Sequence, residues 1–404
     1  MILFEALKAF KDKTPFGFLA LSMIAMSFCF TGWAILSTNF AVNVANMDGS
    51  EWGWTHTIRE IPGLLAFTTI YLLLLIAEQR LAVFSILLLS LGIAITGYFP
   101  TPTGFLLTTF IMSIGFHYYY TLYLSLPMQM FGVNDYPIMR AKLKSIEAAF
   151  AALAFILIFA AIYLFEFDYT ILFMVSGIPA FAIGLYLLKA YQPFKLKHPQ
   201  TMTLLLRRRY WLYYVLQFLS GSRRQIFTVF ASLLLVDKFG FTILQVAALF
   251  FLNHLLTTFV VPYIGRFVLR YGERFTLQIE YIGLFFVFAL YGLVETAWLA
   301  AMLYIIDNIF FSLAISLESY FKRIADKAEI AASAAIIFSI NHIGAVILPF
   351  TLGLVWLHSP SIVFYIGAGL AAGSFIAACV IPRFPKEGNE IQKFSLSIKP
   401  IREG

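Results

Sequence analysis

Charge is scarce in this sequence. Asp, Glu, Lys and Arg make up 12% of 404 residues, against about 25% in soluble domains. A globule in water needs more polar cover than that. With 61% apolar residues, a soluble enzyme and a disordered chain are both excluded. Cysteine is scarcer still. Cys29 and Cys379 sit inside apolar runs near opposite ends of the chain, where they read as small buried hydrophobes. A disulfide-stapled secreted domain is therefore excluded, and no CxxC or Cys/His spacing offers a metal site. GxSxG, HExxH and the P-loop are absent, so neither an enzyme nor a cofactor is expected. The run from Gly367 through Gly369 to Gly373 has a dinucleotide-loop look. It lies within an apolar segment with no strand before it, which points to small-residue helix packing.

What is abundant is oil: 44 Phe, 21 Tyr and a mean hydropathy of +0.86. Twelve apolar segments stand out, near 16–40, 52–77, 81–99, 104–131, 145–165, 169–190, 210–237, 241–268, 274–294, 297–321, 328–357 and 361–382. Each is long enough to cross a bilayer, and in lipid such runs must be helical to satisfy their backbone. The fold class expected is an all-α membrane protein. If the N-terminus is inside, 24 of the 28 Lys and Arg residues fall on the inner side and only Lys238 on the outer. This bias places both termini in the cytoplasm. It also accounts for the net charge of +7 through anionic lipid headgroups, without nucleic acid. The first apolar run is too long for a cleaved signal peptide and reads as a retained anchor. The first ten residues read as a short amphipathic surface helix. Glu318 and Lys322, four apart, read as a surface pair.

The longest polar interval between segments, 191–209, divides the chain into two halves of six. The expected organisation is a six-helix bundle over 1–191, a cytoplasmic linker over 192–209, a second pseudo-symmetric six-helix bundle over 210–382, and a cytoplasmic tail over 383–404. The loop after the eighth segment carries Gly265, Arg270, Gly272 and Arg274. With the six-plus-six layout, it resembles the cytoplasmic loop motif of the major facilitator superfamily (MFS), although Leu269 stands where that motif has Asp. The resemblance covers essentially the whole chain. It implies two bundles around a central cavity lined by segments 1, 2, 4, 5, 7, 8, 10 and 11. The fifth segment lacks the glycine and proline pattern of drug–proton antiporters.

Three arginines do not sort to a membrane face: Arg59, Arg223 and Arg224. An ionised side chain at mid-bilayer costs at least about 2.5–3.5 kcal/mol, so such residues mark a pathway or a pair. Acids at depth are Glu60 and Asp307, with Glu280 nearer the inner side. Gln217, Ser220, Gly221, Arg224 and Thr228 recur every three or four residues and form one polar stripe, with Arg223 about 100° away. Pairing of Arg223 or Arg224 with Asp307 is the plain structural alternative. Arg224, Arg223, Arg59, Gln217, Asn253, Asn308 and Asn341 are the candidate solute-binding residues. Asp307, His117, His254, His342 and Glu60 are the candidate proton carriers, because imidazole titrates near neutral pH.

These features predict a secondary active transporter that moves a small anionic organic solute by alternating access, coupled to protons. Guanidinium forks match carboxylates and phosphates, and arginines outnumber acids at depth. Partners expected are the solute, the lipid bilayer and a coupling ion, with a monomeric protein in a bacterial inner membrane. Two alternatives remain at this level: an exporter of amphipathic drugs or lipids, and a transport-inactive membrane sensor of the same fold.

Overall fold

A computed structural model describes residues 13–47, 49–194, 198–201, 203–204 and 206–399. The amphipathic helix expected over the first ten residues lies outside them, as do Lys8, Lys11, Lys195, Lys197 and Arg402. Regular structure among the described residues is helical, apart from one β-bridge between Lys386 and Asn389.

In chain order the helices of the first part are α1 (Pro15–Asn43), α2 (Gly49–Leu64), α3 (Glu78–Ile95), α4 (Pro102–Met130), α5 (Tyr136–Tyr163) and α6 (Tyr169–Ala190). A 3₁₀ turn, Leu65–Thr68, and a short helix, Thr69–Leu73, prolong α2. There follow α7 (Trp211–Gln225), α8 (Ile243–Tyr271), α9 (Glu273–Leu293), α10 (Ala297–Ser312), α11 (Ile330–Trp356) and α12 (Pro360–Ala378). A π turn, Ile226–Ala231, and a short helix, Ser232–Asp237, continue α7, and Ile315–Ile324 continues α10 after a break. Local chemistry sets several starts. Thr14 accepts the Gly17 N–H at 3.1 Å ahead of Pro15, Asp168 accepts the Ile171 N–H at 2.9 Å, and Thr242 with Gln245 forms a reciprocal cap at α8.

Among the described residues, nine helices are long and apolar enough to cross a membrane. The expected spans outside that set are 52–77, 104–131 and 210–237. Two are interrupted, by the 3₁₀ turn in α2 and the π turn in α7. In the third, Thr, Tyr and His residues dilute the apolar run. These are the helices that carry Arg59 and Glu60, His117, and Arg223 and Arg224.

The chain divides into two compact units. The first takes the chain up to Met130 and again from Leu143 to Leu204. In it α3 packs tightly on α4 and α6. The close approach needs glycine: a Cβ on Gly115 would strike the Leu89 amide and the Ser85 carbonyl, and one on Gly177 would lie 2.6 Å from the Ser90 carbonyl. Helices in lipid gain their contact from such small-residue faces. A buried Glu78 carboxylate here takes Gln129 Nε2 at 2.8 Å and the Ser125 hydroxyl.

The second unit takes residues 131–142 and the chain from 205 onward. Its core joins Phe227, Phe230, Leu284, Phe288, Tyr304 and Phe364. Of the three small residues singled out in α12, a Cβ on Gly367 would lie 3.1 Å from the Phe288 ring, whereas Gly369 and Gly373 have open space beside them. Ionic contacts then tie one end together. The Glu318 carboxylate receives Arg140 Nη2 and the Tyr136 hydroxyl, each at 2.8 Å. Glu273 receives Arg323 and, at 2.8 Å, Ser319. Glu329 receives Arg207 at 2.5 Å, and these bonds hold the Arg207 guanidinium above its usual range. The tail folds back here as well, where Tyr320 donates to the Glu390 carbonyl at 2.6 Å.

Replacing Gly115 with Leu is expected to cost about 1–3 kcal/mol through overpacking, seen as a lower apparent melting temperature in detergent. Gly373→Leu should leave that temperature unchanged. Equal effects at the two positions would contradict the packing described.

Candidate functional site

Each unit carries its own polar cluster. In the first unit, α2 presents Arg59 and Glu60 and α4 presents Ser113 and His117. Both Nη2 and Nε of Arg59 donate to Glu60 Oε1, at 2.6 and 3.1 Å. The guanidinium carbon lies 5.7 Å from the Trp33 ring of α1, within reach of a cation–π contact. His117 is buried. Its Nδ1 lies 2.9 Å from both the hydroxyl and the carbonyl of Ser113 one turn earlier, and its Nε2 lies 3.7 Å from Glu60 Oε2. Ser113 itself donates to the Arg59 carbonyl, which fastens α4 to α2. Arg59 and Glu60 stay partly open, at 24% and 18% side-chain exposure. Beside them runs an aromatic wall: Phe30 stacks on Phe116 at 4.2 Å, and Phe116 meets Tyr120 at 4.8 Å. The Tyr120 hydroxyl donates to Glu147 on α5 at 2.8 Å.

In the second unit the stripe on α7 meets α11. Arg224 Nη2 donates to Asn341 Oδ1 at 2.9 Å. Asn341 Nδ2 in turn reaches the carbonyl and the side chain of Gln217, at 3.1 and 3.2 Å. Gln217 donates to the Tyr213 hydroxyl at 2.7 Å. Gly221 makes this array possible, since a Cβ there would strike the Asn341 carbonyl. On α10, Asn308 donates to Thr257 of α8 at 2.9 Å. Asn253 is buried, and the His254 carbonyl accepts the Thr258 hydroxyl at 2.8 Å. His342 is buried with Nδ1 2.8 Å from the Phe338 carbonyl, and its ring lies 4.3 Å from that of Phe338.

Arg223 is separated from that array although it is the next residue along. Its side chain is 0% exposed, against an exposed Arg224. Its guanidinium lies 3.7 Å from Glu280 Oε1 on α9, donates to Ser374 on α12, and sits 4.6 Å over the Tyr281 ring. The ion-pair partner of Arg223 is thus Glu280, and the alternative pairing with Asp307 forms no salt bridge among the described residues. Asp307 is fully buried, and neither of its oxygens has a hydrogen-bond partner.

Solved structures share this architecture. FucP, the E. coli fucose:proton symporter, matches in its outward conformation at a TM-score of 0.69 and 14% identity, over 90% of this chain and 97% of that one. A bacterial homologue of the iron transporter ferroportin matches at 0.69 and 12%, over 90% and 98%. The human organic anion transporter MFSD10 matches at 0.65 and 13%, also over 90% and 98%. The fold is that of the major facilitator superfamily. No family model and no curated protein matches the sequence. The apolar helices and the major facilitator fold together make this a multi-pass integral membrane protein.

The loop motif of the major facilitator resemblance has a definite geometry here. Gly265 lies against the Pro137 carbonyl and the Ala141 side chain. Gly272 links α8 to α9 at φ 85°, a left-handed conformation that suits glycine. Arg270 lies 5.4 Å over the Tyr271 ring. Arg274 is buried and donates to the Ser395 carbonyl, holding the tail.

Residue spacing alone misses Trp33, Tyr120 and Glu147. Glu147 had one available signal, as a lone acid entering the apolar run 145–165. Trp33 had none, and Tyr120 stood only within a run of tyrosines that no spacing told apart.

Arg223→Ala strands a buried carboxylate and is expected to cost about 3–5 kcal/mol of stability. Arg224→Ala should stay within about 0.5 kcal/mol. Thermal unfolding of the purified variants compares them, and equal losses would contradict the enclosure of Arg223.

Proposed function

We propose that the protein is a secondary active transporter that moves a small anionic organic solute by alternating access, with a proton as the coupling ion. Its twelve helical runs would then form two pseudo-symmetric six-helix bundles, with both termini cytoplasmic. A bacterial inner membrane and a monomer complete the reading.

The observation that carries it is Arg224. An exposed guanidinium at membrane depth, aimed by Asn341 within a ladder of Gln217 and Tyr213, has the chemistry that suits an anion. A fork of N–H groups suits a carboxylate, and the low dielectric around it strengthens that contact. Gln217, Asn253, Asn308 and Asn341 supply neutral hydrogen bonds of the kind that orient a solute. Arg59 in the first unit adds a second, partly open cation. Phe30, Phe116 and Tyr120 offer the aromatic surface that an organic body needs. Arg223 leaves the solute-binding set because its side chain is enclosed. For the proton, Glu60, His117, His254, His342 and Asp307 supply titratable groups on several helices. Two solved relatives lend direction: one is named an organic anion transporter and another a fucose:proton symporter.

The test is uptake of a panel of radiolabelled organic anions into proteoliposomes under an imposed pH gradient. Wild type should accumulate at least one of them. Arg224→Ala should lower that uptake more than tenfold, and Arg224→Lys should recover part of it, because a point charge replaces a fork. Uptake unchanged in Arg224→Ala would overturn the anion site.

A further inference from the structure

We propose that Arg80, at the start of α3, and the cleft beside it bind one anionic phospholipid, with the lipid phosphate on the guanidinium and the start of an acyl chain over an apolar floor. The cleft lies wholly in the first unit. Phe18 of α1, Arg80 and Val83 of α3, Leu187 and Leu188 of α6, and Tyr191 just beyond α6 are among its lining residues.

Position is the first ground. The helices α1, α3 and α6 are each long and apolar enough to cross a membrane. The lining residues come from the opening turns of α1 and α3, the last turn of α6 and the chain that follows it. With 18 residues, α3 is about 27 Å long, close to the thickness of a bilayer's hydrocarbon core. A crossing helix of that length begins where acyl chains give way to headgroups. The rings gathered here agree with that depth. Tyr191 meets Phe18 at 5.8 Å, Phe194 at 6.2 Å and Tyr186 at 6.4 Å, and aromatic residues collect at membrane interfaces.

Charge is the second ground. Arg80 is exposed, and among the described residues its side chain has no ion pair and no hydrogen bond. No Asp or Glu lines the cleft. The acid nearest in sequence, Glu78, is buried and takes Ser125 and Gln129 of α4 instead. Lys189, exposed in the last turn of α6, adds a second positive charge next to Leu188. A guanidinium fork matches a phosphate, and basic pockets between membrane helices suit anionic headgroups.

Shape joins the two. The chain after α6 forms one wall, and Gln79 fixes it: the Phe194 N–H donates to Gln79 Oε1 at 2.6 Å, and Gln79 Nε2 donates to the Phe194 carbonyl at 3.2 Å. Phe18, Val83 and Leu187 are buried and make a packed floor, whereas Leu188 is half-buried and Arg80 open at the rim. A free phosphate would use only the rim. A phospholipid covers both the cation and the apolar floor. The inference needs a membrane protein and no particular solute, so it stands apart from whether Arg224 binds an anion.

Native mass spectrometry of the full-length protein, purified in mild detergent and mixed with equal amounts of phosphatidylglycerol and phosphatidylcholine, counts the lipid retained. Wild type should keep one phosphatidylglycerol in preference to phosphatidylcholine. Arg80→Ala should bind it about tenfold more weakly, the loss expected of one charge-assisted contact, and Arg80→Lys should keep part of the preference. Leu188→Trp, which leaves the charge and fills the cleft, should lose it too. Arg266→Ala removes another exposed cation, in the second unit, and should bind like wild type. Wild-type binding of phosphatidylglycerol by Arg80→Ala or by Leu188→Trp would overturn the proposal, as would equal retention of the two lipids by wild type. Displacement of the lipid by millimolar inorganic phosphate would overturn it as well, because the site would then be one for free anions.

Discussion

A guanidinium sealed inside a membrane protein must be met by negative charge, and the second unit is arranged around meeting that of Arg223. Glu280 comes from α9, Ser374 from α12 and the Tyr281 face from α9. These contacts set how α7, α9 and α12 lie against one another, and the aromatic core of Phe227, Phe288, Tyr304 and Phe364 packs beside them. Removing the positive charge would leave buried acids without compensation. The polar cost is therefore concentrated in one cluster, and the surrounding helix faces can be apolar.

That arrangement gives two adjacent arginines opposite work. One residue of helix rotates a side chain by about 100°, enough to place Arg223 within the unit and Arg224 at the exposed end of a polar ladder. The same economy is visible in the first unit. Arg59 and Glu60 neutralise each other, yet both stay partly open beside Trp33 and His117. In both units these ionic groups meet other side chains of the protein. This is what a low-dielectric surrounding demands of groups that cannot be shed.

Much of the fold is legible in the residues, because lipid leaves so few options. Runs such as 81–99 and 274–294 can only be helices, and α3 and α9 lie on them. The runs that are less apolar, 52–77 and 210–237, became interrupted helices, and periodicity does not announce a 3₁₀ or π turn. The separation of Arg224 from Arg223 was legible as an angle along one helix. The partner of Arg223 was not. Glu280 reaches it because α7 and α9 both pack on α12, and no local spacing announces that. Arg140 reaching Glu318 escapes the sequence for the same reason, since local spacing favours Lys322. Roles in solute and proton handling depend on which side chains see water, and one sequence cannot fix that.

Thiol accessibility tests the division between the exposed and the enclosed arginine most directly. Cys29 and Cys379 are both buried, so wild-type protein in membrane vesicles should react little with a water-soluble maleimide. Asn341→Cys, at the partner of Arg224, is predicted to label rapidly, and Ser374→Cys, at the partner of Arg223, to stay unlabelled until the protein is denatured. Labelling of position 374 as fast as position 341 would contradict the account.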